Sequence, residues 1–480
     1  MDILLTHGYF IAEDPHEQKI MKPYPPLGIL YLSSHLKQAG FSVDLFDTTF
    51  SSKEQFAAYI ERTRPSIVGM YTNLMTKLNV LPMIQQCKAV GAKVVLGGPE
   101  PAHYLDEFFD SGADVIVVGE GELTLEELIP ALHKHGPHRL HGIDGVIFRD
   151  EEGKTVRNAP RAQIKQLDGQ PFPDREAIDI GRYVDTWRTH HGRGSVSLIT
   201  ARGCPYTCKW CSHAVFGNTH RRRSPENVVA EMEQIVERYN PDQVWYADDV
   251  FTMHRSWTLK YAALLQDRGI HLPFECISRA DRLDEEVIEA LGRMGCYRLW
   301  IGSESGSQRI LDAMSRRTKV EDVQAKVRML KKAGIEVGMF IMLGYEGEEI
   351  PDLEATVDHL KVSDPELFLT TVAYPIKGTP YYYEVESRVI ENLPWHQRTD
   401  RDLSIASRHS KQFYSFATRW MVNEVALHKL RKRRPRSLRK IAKAYANARI
   451  GRLGMALTNA QTEKAPGGRG QIHIENVAAK

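Results

Sequence analysis

From Asp2 to about residue 135 the chain alternates short apolar runs with stretches of helical periodicity. "DILLT", "SVDLFD", "SIVGMYT", "KVVLGG" and "DVIVVGEGE" are apolar and of strand length. Between them, "LGILYLSSHLKQAG", "KEQFAAYIERT", "VLPMIQQCKAVG" and "PAHYLDEFFDSG" space apolar residues three and four apart, and "TLEELIPALHKHG" follows the last strand. Gly40 is placed to cap the first of these helices. Five apolar strands separated by helices predict a doubly wound parallel sheet. Ligands of such sheets sit beyond the carboxyl ends of the strands. There the chain has Gly97-Gly98-Pro99 and Gly119-Glu120-Gly121-Glu122. Tight turns alone would use these glycines; so would a backbone that must come close to a bulky ligand.

"GVIFRDEEGKTVRNAPR" reads as a β-hairpin turning at Glu151–Lys154, and "LDGQPFPDREAIDI" as a Pro-containing linker. From Ser195 a second alternation begins. "SVSLIT", "QVWYAD", "PFECIS", "YRLWIGS", "EVGMFIML" and "LFLTTVAYP" are its strands, with amphipathic helices between. Six βα units suit a partial barrel, with function on the loops that follow each strand. The expected divisions are 1–140, 141–190, 191–385 and 386–480. The last part is helical in pattern and strongly basic, with no Asp or Glu between Val425 and Thr462. In it Leu438, Ile441, Tyr445 and Ala448 recur at helical spacing beside Lys and Arg. That pattern fits a helix on a membrane surface, or a solvated helix laid on the barrel by its apolar face.

Composition narrows the class. The chain has 480 residues, enough for two or three domains, and is 42% hydrophobic and 26% charged, which excludes wholesale disorder. Net charge is +2, so no global basic bias points to a polyanion. The N-terminus lacks the basic segment of a signal peptide, and no apolar run approaches the roughly 18–20 residues of a membrane span. A cytoplasmic, reducing compartment is expected, where clustered cysteines mean metal or redox chemistry before disulfides. Of six cysteines, Cys204, Cys208 and Cys211 fall together in "ARGCPYTCKWCSH", directly after the first barrel strand. Cys87, Cys276 and Cys296 are scattered.

Three clustered thiols pose a choice. A structural zinc site takes four closed ligands, and only His213 offers a fourth, crowded against the others. A [4Fe–4S] cluster has four irons, so three thiolates leave one iron open to substrate. The spacing C-x3-C-x2-C, with Trp210 before the third cysteine and the strand "SVSLIT" before the first, resembles the radical S-adenosylmethionine signature. The resemblance implies that the open iron is chelated by the amino and carboxylate groups of S-adenosylmethionine. One-electron reduction would then release a 5′-deoxyadenosyl radical that removes hydrogen from an unactivated carbon. It also implies that Asp248 and Asp249 meet the methionine amine, Arg279 its carboxylate, and Ser303 or Glu304 the ribose or amine. "GMFIMLGYEGE" is similar to the family's adenine segment and "AYPIKGTPYY" to its sixth-strand ending, though Ile376-Lys377 replaces the usual Pro.

"YPPLGILYLSSHL", "GGPEPAHY" and "VVGEGELTLEEL" resemble the cobalamin-binding branch of that family, in which a Rossmann-like domain precedes the barrel. The likeness covers residue 1 to about 385 and implies an α/β fold: doubly wound sheet, partial (β/α)6 barrel, then a helical basic region. It implies cobalamin held by Gly97, Gly98, Pro99, Gly119, Glu120, Gly121 and Glu122. The D-x-H-x-x-G cobalt-ligating string is not reproduced: Asp14-Pro15-His16 runs on to Lys19, so His16 reads as a loop histidine. The implied activity is C-methylation through methylcobalamin, with oxidative ring closure, as in the anaerobic magnesium-protoporphyrin monomethyl ester cyclase, as the alternative. Hopanoid-biosynthesis proteins share the layout. The substrate class would be a small molecule, lipid or tetrapyrrole, and the electron donor a flavodoxin or ferredoxin. A methylthiotransferase would need more cysteines before the barrel than Cys87. A non-enzymatic metal module on nucleic acid would need base-stacking aromatics that the basic tail lacks.

Overall fold

The computed structural model describes residues 1–212, 215–432 and 437–463. Its first sheet begins with β1 (Ile3–His7), followed by α1 (Glu17–Ile20) and α2 (Leu27–Gln38). Then come β2 (Val43–Phe46), α3 (Lys53–Thr63), β3 (Ile67–Tyr71), α4 (Lys77–Ala89), β4 (Lys93–Gly97), α5 (Leu105–Asp110), β5 (Val115–Val117) and α6 (Glu122–His135). The five strands are parallel in the order β2-β1-β3-β4-β5. Alternate side chains serve opposite faces, as a pleated strand requires. Leu4, Val68, Met70, Val94 and Leu96 pack with α3, α4 and α5, while Ile3, Leu5, Ile67 and Val95 pack with α2 and α6. The doubly wound sheet is therefore as expected. Its strand order reverses between β1 and β3, the point where such sheets open a crevice.

The expected hairpin turns between β6 (Val146–Arg149) and β7 (Thr155–Arg157). It extends the sheet to seven strands, with β6 antiparallel to β5. The stretch expected to finish as a linker instead ends in a helix, α7 (Ile180–His191), capped by Asp179. Its buried Ile180, Tyr183, Val184 and Trp187 follow the i, i+3, i+4, i+7 rule, so the pattern was present in the sequence. The Trp187 indole donates to the Pro23 carbonyl at 2.7 Å, joining the two halves of the molecule.

The second sheet opens with β8 (Ser195–Leu198) and a short antiparallel ribbon of β9 (Ala201–Arg202) and β10 (Arg221–Arg222). The series continues through α8 (Pro225–Tyr239), β11 (Gln243–Tyr246), α9 (Arg255–Asp267), β12 (Phe274–Ser278), α10 (Glu285–Met294) and β13 (Cys296–Glu304). It ends with α11 (Gln308–Ala313), α12 (Val320–Lys332), β14 (Glu336–Leu343), α13 (Ile350–Ser363) and β15 (Leu367–Val372). The six main strands are parallel and in sequential order, β8-β11-β12-β13-β14-β15, with no bond between β8 and β15. This is the open barrel that the pattern predicts. Cys276 and Cys296 lie in its apolar core.

After the barrel come α14 (Pro380–Val385), the ribbon β16 (Val389–Ile390) and β17 (Ser404–Ile405), and two long helices, α15 (Lys411–Lys432) and α16 (Leu438–Thr458). The two helices pack closely because one face of α16 is small. A Cβ on Gly451 would stand 2.5 Å from the Trp420 amide nitrogen, and one on Gly454 2.3 Å from the Phe416 ring. Two glycines in helices make the energetics testable. Gly292 in α10 has nothing within 4 Å of a notional Cβ. There the helix propensity gain of Ala, about 0.5–1 kcal/mol, acts alone. At Gly451 the same gain meets a backbone clash, and overpacking costs roughly 1–3 kcal/mol. Thermal melts should therefore show Gly292→Ala unchanged or stabilised and Gly451→Ala destabilised.

Candidate functional site

The three clustered cysteines sit on a loop framed by β9 and β10. Gly203 lets the frame close: its φ is +82°, and a Cβ would lie 2.3 Å from the Thr219 carbonyl oxygen. Asp248, at the end of β11, locks the base of the frame. Its carboxylate accepts from the amides of Thr200 at 2.7 Å and Ala201 at 3.2 Å and from the Thr200 hydroxyl, and pairs with Arg222 at 3.0 Å. The Arg222 guanidinium in turn lies 3.8 Å over the Trp257 ring. A buried carboxylate so fully engaged is structural. A methionine amine reaching Asp248, as the resemblance implies, would have to share this carboxylate with those partners. Asp249, one residue on, is exposed and raises the pKa of both Cys204 and Cys211 by its charge, so it faces the loop.

The rest of the loop is held from the far side of the barrel. The Lys209 amide donates to the Met314 carbonyl at 3.2 Å, and the Tyr381 amide donates to that of Lys209 at 2.9 Å. The Trp210 ring packs on the cluster of Ile310, Met314, Tyr345, Tyr381 and Ile405. Its visible role is to anchor the loop. Two guanidiniums reach Cys208, from Arg279 at 3.9 Å and Arg316 at 4.0 Å. Arg279 is buried, stacked 3.6 Å over Tyr206, paired with Asp281 at 2.8 Å, and donates to the Arg316 carbonyl at 3.0 Å. The structure thus turns Arg279 to a cysteine sulfur and to Asp281; a substrate carboxylate would have to displace that partner.

The end of β13 carries the remaining expected residues. Ser303 is buried and hydrogen-bonds His359 of α13 at 2.9 Å, a partner that a ribose hydroxyl would have to share. Glu304 is buried 3.6 Å from Arg316, and desolvation pushes its carboxyl up to about 8 against the pull of Arg279. Its φ of +61° lies in the left-handed region, where a non-glycine residue is strained, and the β13–β14 register shifts here. Such strain gathers where a side chain must be aimed.

The donor set fits a cluster better than a single ion. Burial raises all three thiols above the usual range, Cys211 to about 12 with the charge of Asp249 added, while Arg279 pulls against it at Cys208. Thiolates there need a strongly cationic partner. Among the described residues no three His, Cys, Asp or Glu side chains converge on one point. A cube of iron and sulfide instead offers a separate iron to each thiolate. His213 lies outside the described residues.

A cavity of about 670 Å³ lies against this loop. It opens where the first sheet reverses its order, against His7, Tyr71 and Gly97, and runs to Ser197, Trp245 and Ala247 of the barrel. Val215 and Phe216 of the cysteine loop complete the wall. Gly98, Gly119, Glu120, Gly121 and Glu122 line it as expected, and Pro99 does not. A Cβ on Gly97 would meet nothing within 4 Å, and one on Gly119 nothing nearer than 3.8 Å. Space of this size, walled by glycine, suits a bulky cofactor. Gly98 is glycine for another reason: its φ is +105°, and a Cβ would stand 2.4 Å from the Thr72 carbonyl oxygen. His16 is exposed and outside the wall. His7, which the sequence reading missed, is in the wall, but both ring nitrogens are engaged, by Asp47 at 2.9 Å and Thr48 at 3.1 Å. Its position at the carboxyl end of β1 was the available signal.

Glu120 and Glu122 border the cavity, yet their carboxylates point into an ion-pair network. Arg202 holds Glu120 at 2.7 Å and Glu122 at 2.6 Å, and Arg221 holds the other oxygen of Glu120 at 2.7 Å. The Ile164 amide adds a bond to Glu120 at 2.9 Å. Arg202 and both acids are buried. From the border of the cavity the two residues therefore clamp the first sheet to the frame of the cysteine loop.

Comparison with known proteins places names on both halves. The Radical SAM superfamily model matches residues 198–360, and that of the B12 binding domain residues 18–129. An uncharacterized methyltransferase of Pyrococcus horikoshii is 28% identical over 401 residues, covering 80% of this chain and 84% of its own. The anaerobic magnesium-protoporphyrin IX monomethyl ester cyclase of Rubrivivax gelatinosus is 24% identical over 376 residues, covering 76% and 67%. The cobalamin-dependent S-adenosylmethionine radical enzyme OxsB, with aqua-cobalamin bound, superposes with a TM-score of 0.73 at 18% identity over 95% of this chain and 72% of that one. The radical S-adenosylmethionine methyltransferase TsrM of Kitasatospora setae superposes at 0.66 and 20% identity, covering 80% and 74%.

Breaking one side of a buried ion pair strands the other charge, at a cost of roughly 3–5 kcal/mol. Arg202→Met should accordingly lower the melting temperature far more than Arg255→Met, whose pairs with Asp284 and Glu286 are exposed and contribute about 0–1 kcal/mol. Parallel thermal melts of the two variants check this.

Proposed function

Because the chain belongs to the cobalamin-binding radical S-adenosylmethionine family, we propose that it methylates an unactivated carbon of a small, largely apolar molecule. The observation that carries this is the shared cavity: one space is walled by the first sheet, by the mouth of the barrel and by the cysteine loop itself. With a [4Fe–4S] cluster, S-adenosylmethionine and methylcobalamin bound, such a site has both a means of abstracting hydrogen and a methyl donor. The cysteines Cys204, Cys208 and Cys211 would hold the cluster, and residues 1–140, extended by the hairpin of β6 and β7, would hold cobalamin. Residues 191–385 would be the catalytic barrel, and the described part of residues 386–480 adds two long helices, α15 and α16.

The protein's own tasks follow from its geometry. Arg279 and Arg316 favour the ionised form of Cys208 by charge and by N–H···S contact. Asp249 and Glu304, whose charges both act on Cys211, would receive the methionine amine. Gly97 and Gly119 would give a corrin room along the sheet's edge; His7, the histidine in the described wall, has both ring nitrogens engaged. Lipid and tetrapyrrole substrates suit the apolar wall of Tyr24, Met70, Phe216 and Trp245. The reductant would be a flavodoxin or ferredoxin. Oxidative ring closure is the second reading, favoured by the likeness to the protoporphyrin ester cyclases.

Two measurements test the assignment. After anaerobic reconstitution, Ala at Cys204, Cys208 or Cys211 should each drop iron from about four per chain to near background and abolish 5′-deoxyadenosine release. Ala at Cys87, Cys276 or Cys296 should not, because these thiols are packed in apolar cores. A variant of the triplet that kept full iron would sink the reading. For cobalamin, Gly97→Leu sets its Cβ in open space and its bulk in the cavity, so it should cut uptake at least roughly tenfold, with a thermal melt to check that the fold holds. His16→Ala should leave uptake unchanged. Uptake that survives Gly97→Leu would move cobalamin out of this cavity.

A further inference from the structure

The last helix carries the other strong signal in the chain. α16 turns its small residues inward: Ala444, Ala448, Gly451 and Gly454 are buried, with Met455 the one large apolar side chain beside them. Its large apolar residues point the other way. Leu438 is 81% exposed, Leu457 72%, Leu453 62%, Ile450 45% and Tyr445 44%. Leu438, Ala442, Ala446, Ile450, Leu453 and Leu457 recur at spacings of three and four, so they form one continuous outer stripe. This corrects the sequence reading in detail. Ala448 belongs to the inner face and Ile441 is half-buried, while Leu438 and Tyr445 face outward. A helix laid down by its large apolar side would show the reverse.

Charge flanks the stripe. Arg439, Lys440, Lys443 and Arg449 are exposed, and none has a described carboxylate within ion-pair distance. Arg449 lies 5.1 Å over the Tyr445 ring. No acid occurs from Val425 to Thr462, so the face has no anion of its own. Arg433, Arg434 and Arg436, which would add to the charge, lie outside the described residues. Among the described residues no helix is long and apolar enough to cross a membrane. A helix with an apolar stripe bordered by Lys and Arg, too polar to span, suits the plane of a lipid interface. Lys and Arg stems can lie along the acyl boundary while their charges stay among headgroups.

We propose that the outer face of α16 docks on an anionic bilayer, Leu453 and Leu457 entering the headgroup boundary while Arg439, Lys440, Lys443 and Arg449 meet lipid phosphates. The charge selects this occupant over a second copy of the chain, since two such faces would repel. The proposal does not depend on the radical chemistry, and its test uses none.

Full-length protein is mixed with sedimentable vesicles of phosphatidylcholine, alone or with about 30 mol% phosphatidylglycerol. The expected result is at least roughly tenfold more protein pelleted with the anionic vesicles, lost as salt rises from about 0.1 to about 0.5 M. Leu453→Glu with Leu457→Glu should reduce pelleting to the neutral level, and so should Lys440→Glu with Lys443→Glu. All four residues are exposed, so both doubles should melt at the wild-type temperature, which shows that the fold survives. Wild-type recovery equal on neutral and anionic vesicles would overturn the proposal. So would full binding by the leucine double variant, or a salt-resistant dimer that the same variant dissolves.

Discussion

Two carboxylates and two guanidiniums hold the arrangement together. Glu120 and Glu122 close the last parallel strand of the first sheet; Arg202 and Arg221 belong to the ribbon that frames the cysteine loop. Taking such charges out of water is costly, and their mutual attraction repays the cost only in good geometry. The network therefore tolerates few relative positions of sheet and barrel. Shift one against the other and four buried charges lose partners at once. Since Arg202 is two residues from Cys204, the constraint that orients the domains is also the one that places the first thiol. The cavity between the domains inherits its shape from this clamp.

Much of this was legible in the sequence, and the failures share a cause. Strands, helices and the hairpin are local matters of periodicity, and they fell where the pattern put them. The cysteine spacing identified the loop because thiols are rare and their number has chemical meaning. Residues carried over by resemblance depend on register as well as on motif. Asp248 and Asp249 are adjacent and identical in type, but a strand end sends successive side chains in opposite directions, one to Thr200 and Arg222 and the other toward the cysteines. Ser303 and Glu304 divide the same way. Sequence names the pair; only register tells which member faces inward.

The glycines teach a related point. Gly97 and Gly98 look like one motif, yet Gly97 leaves room for something outside the chain and Gly98 leaves room for the chain itself. Glu120 and Glu122 looked like ligands because they sit among such glycines. Their partners, Arg202 and Arg221, come from the other domain, and no local pattern could have paired them.

The open barrel has one feature that shapes everything placed across its mouth. Every residue of β8 is buried, whereas β15, the other edge, shows no buried residue and exposes Leu367 and Leu369. On β8 the Ser197 carbonyl accepts from the buried Arg175 guanidinium at 3.0 Å. The opening therefore has two unlike edges, one sealed by side chains and one left exposed. Because the sheet does not close, anything lying across it would meet a different surface at each end.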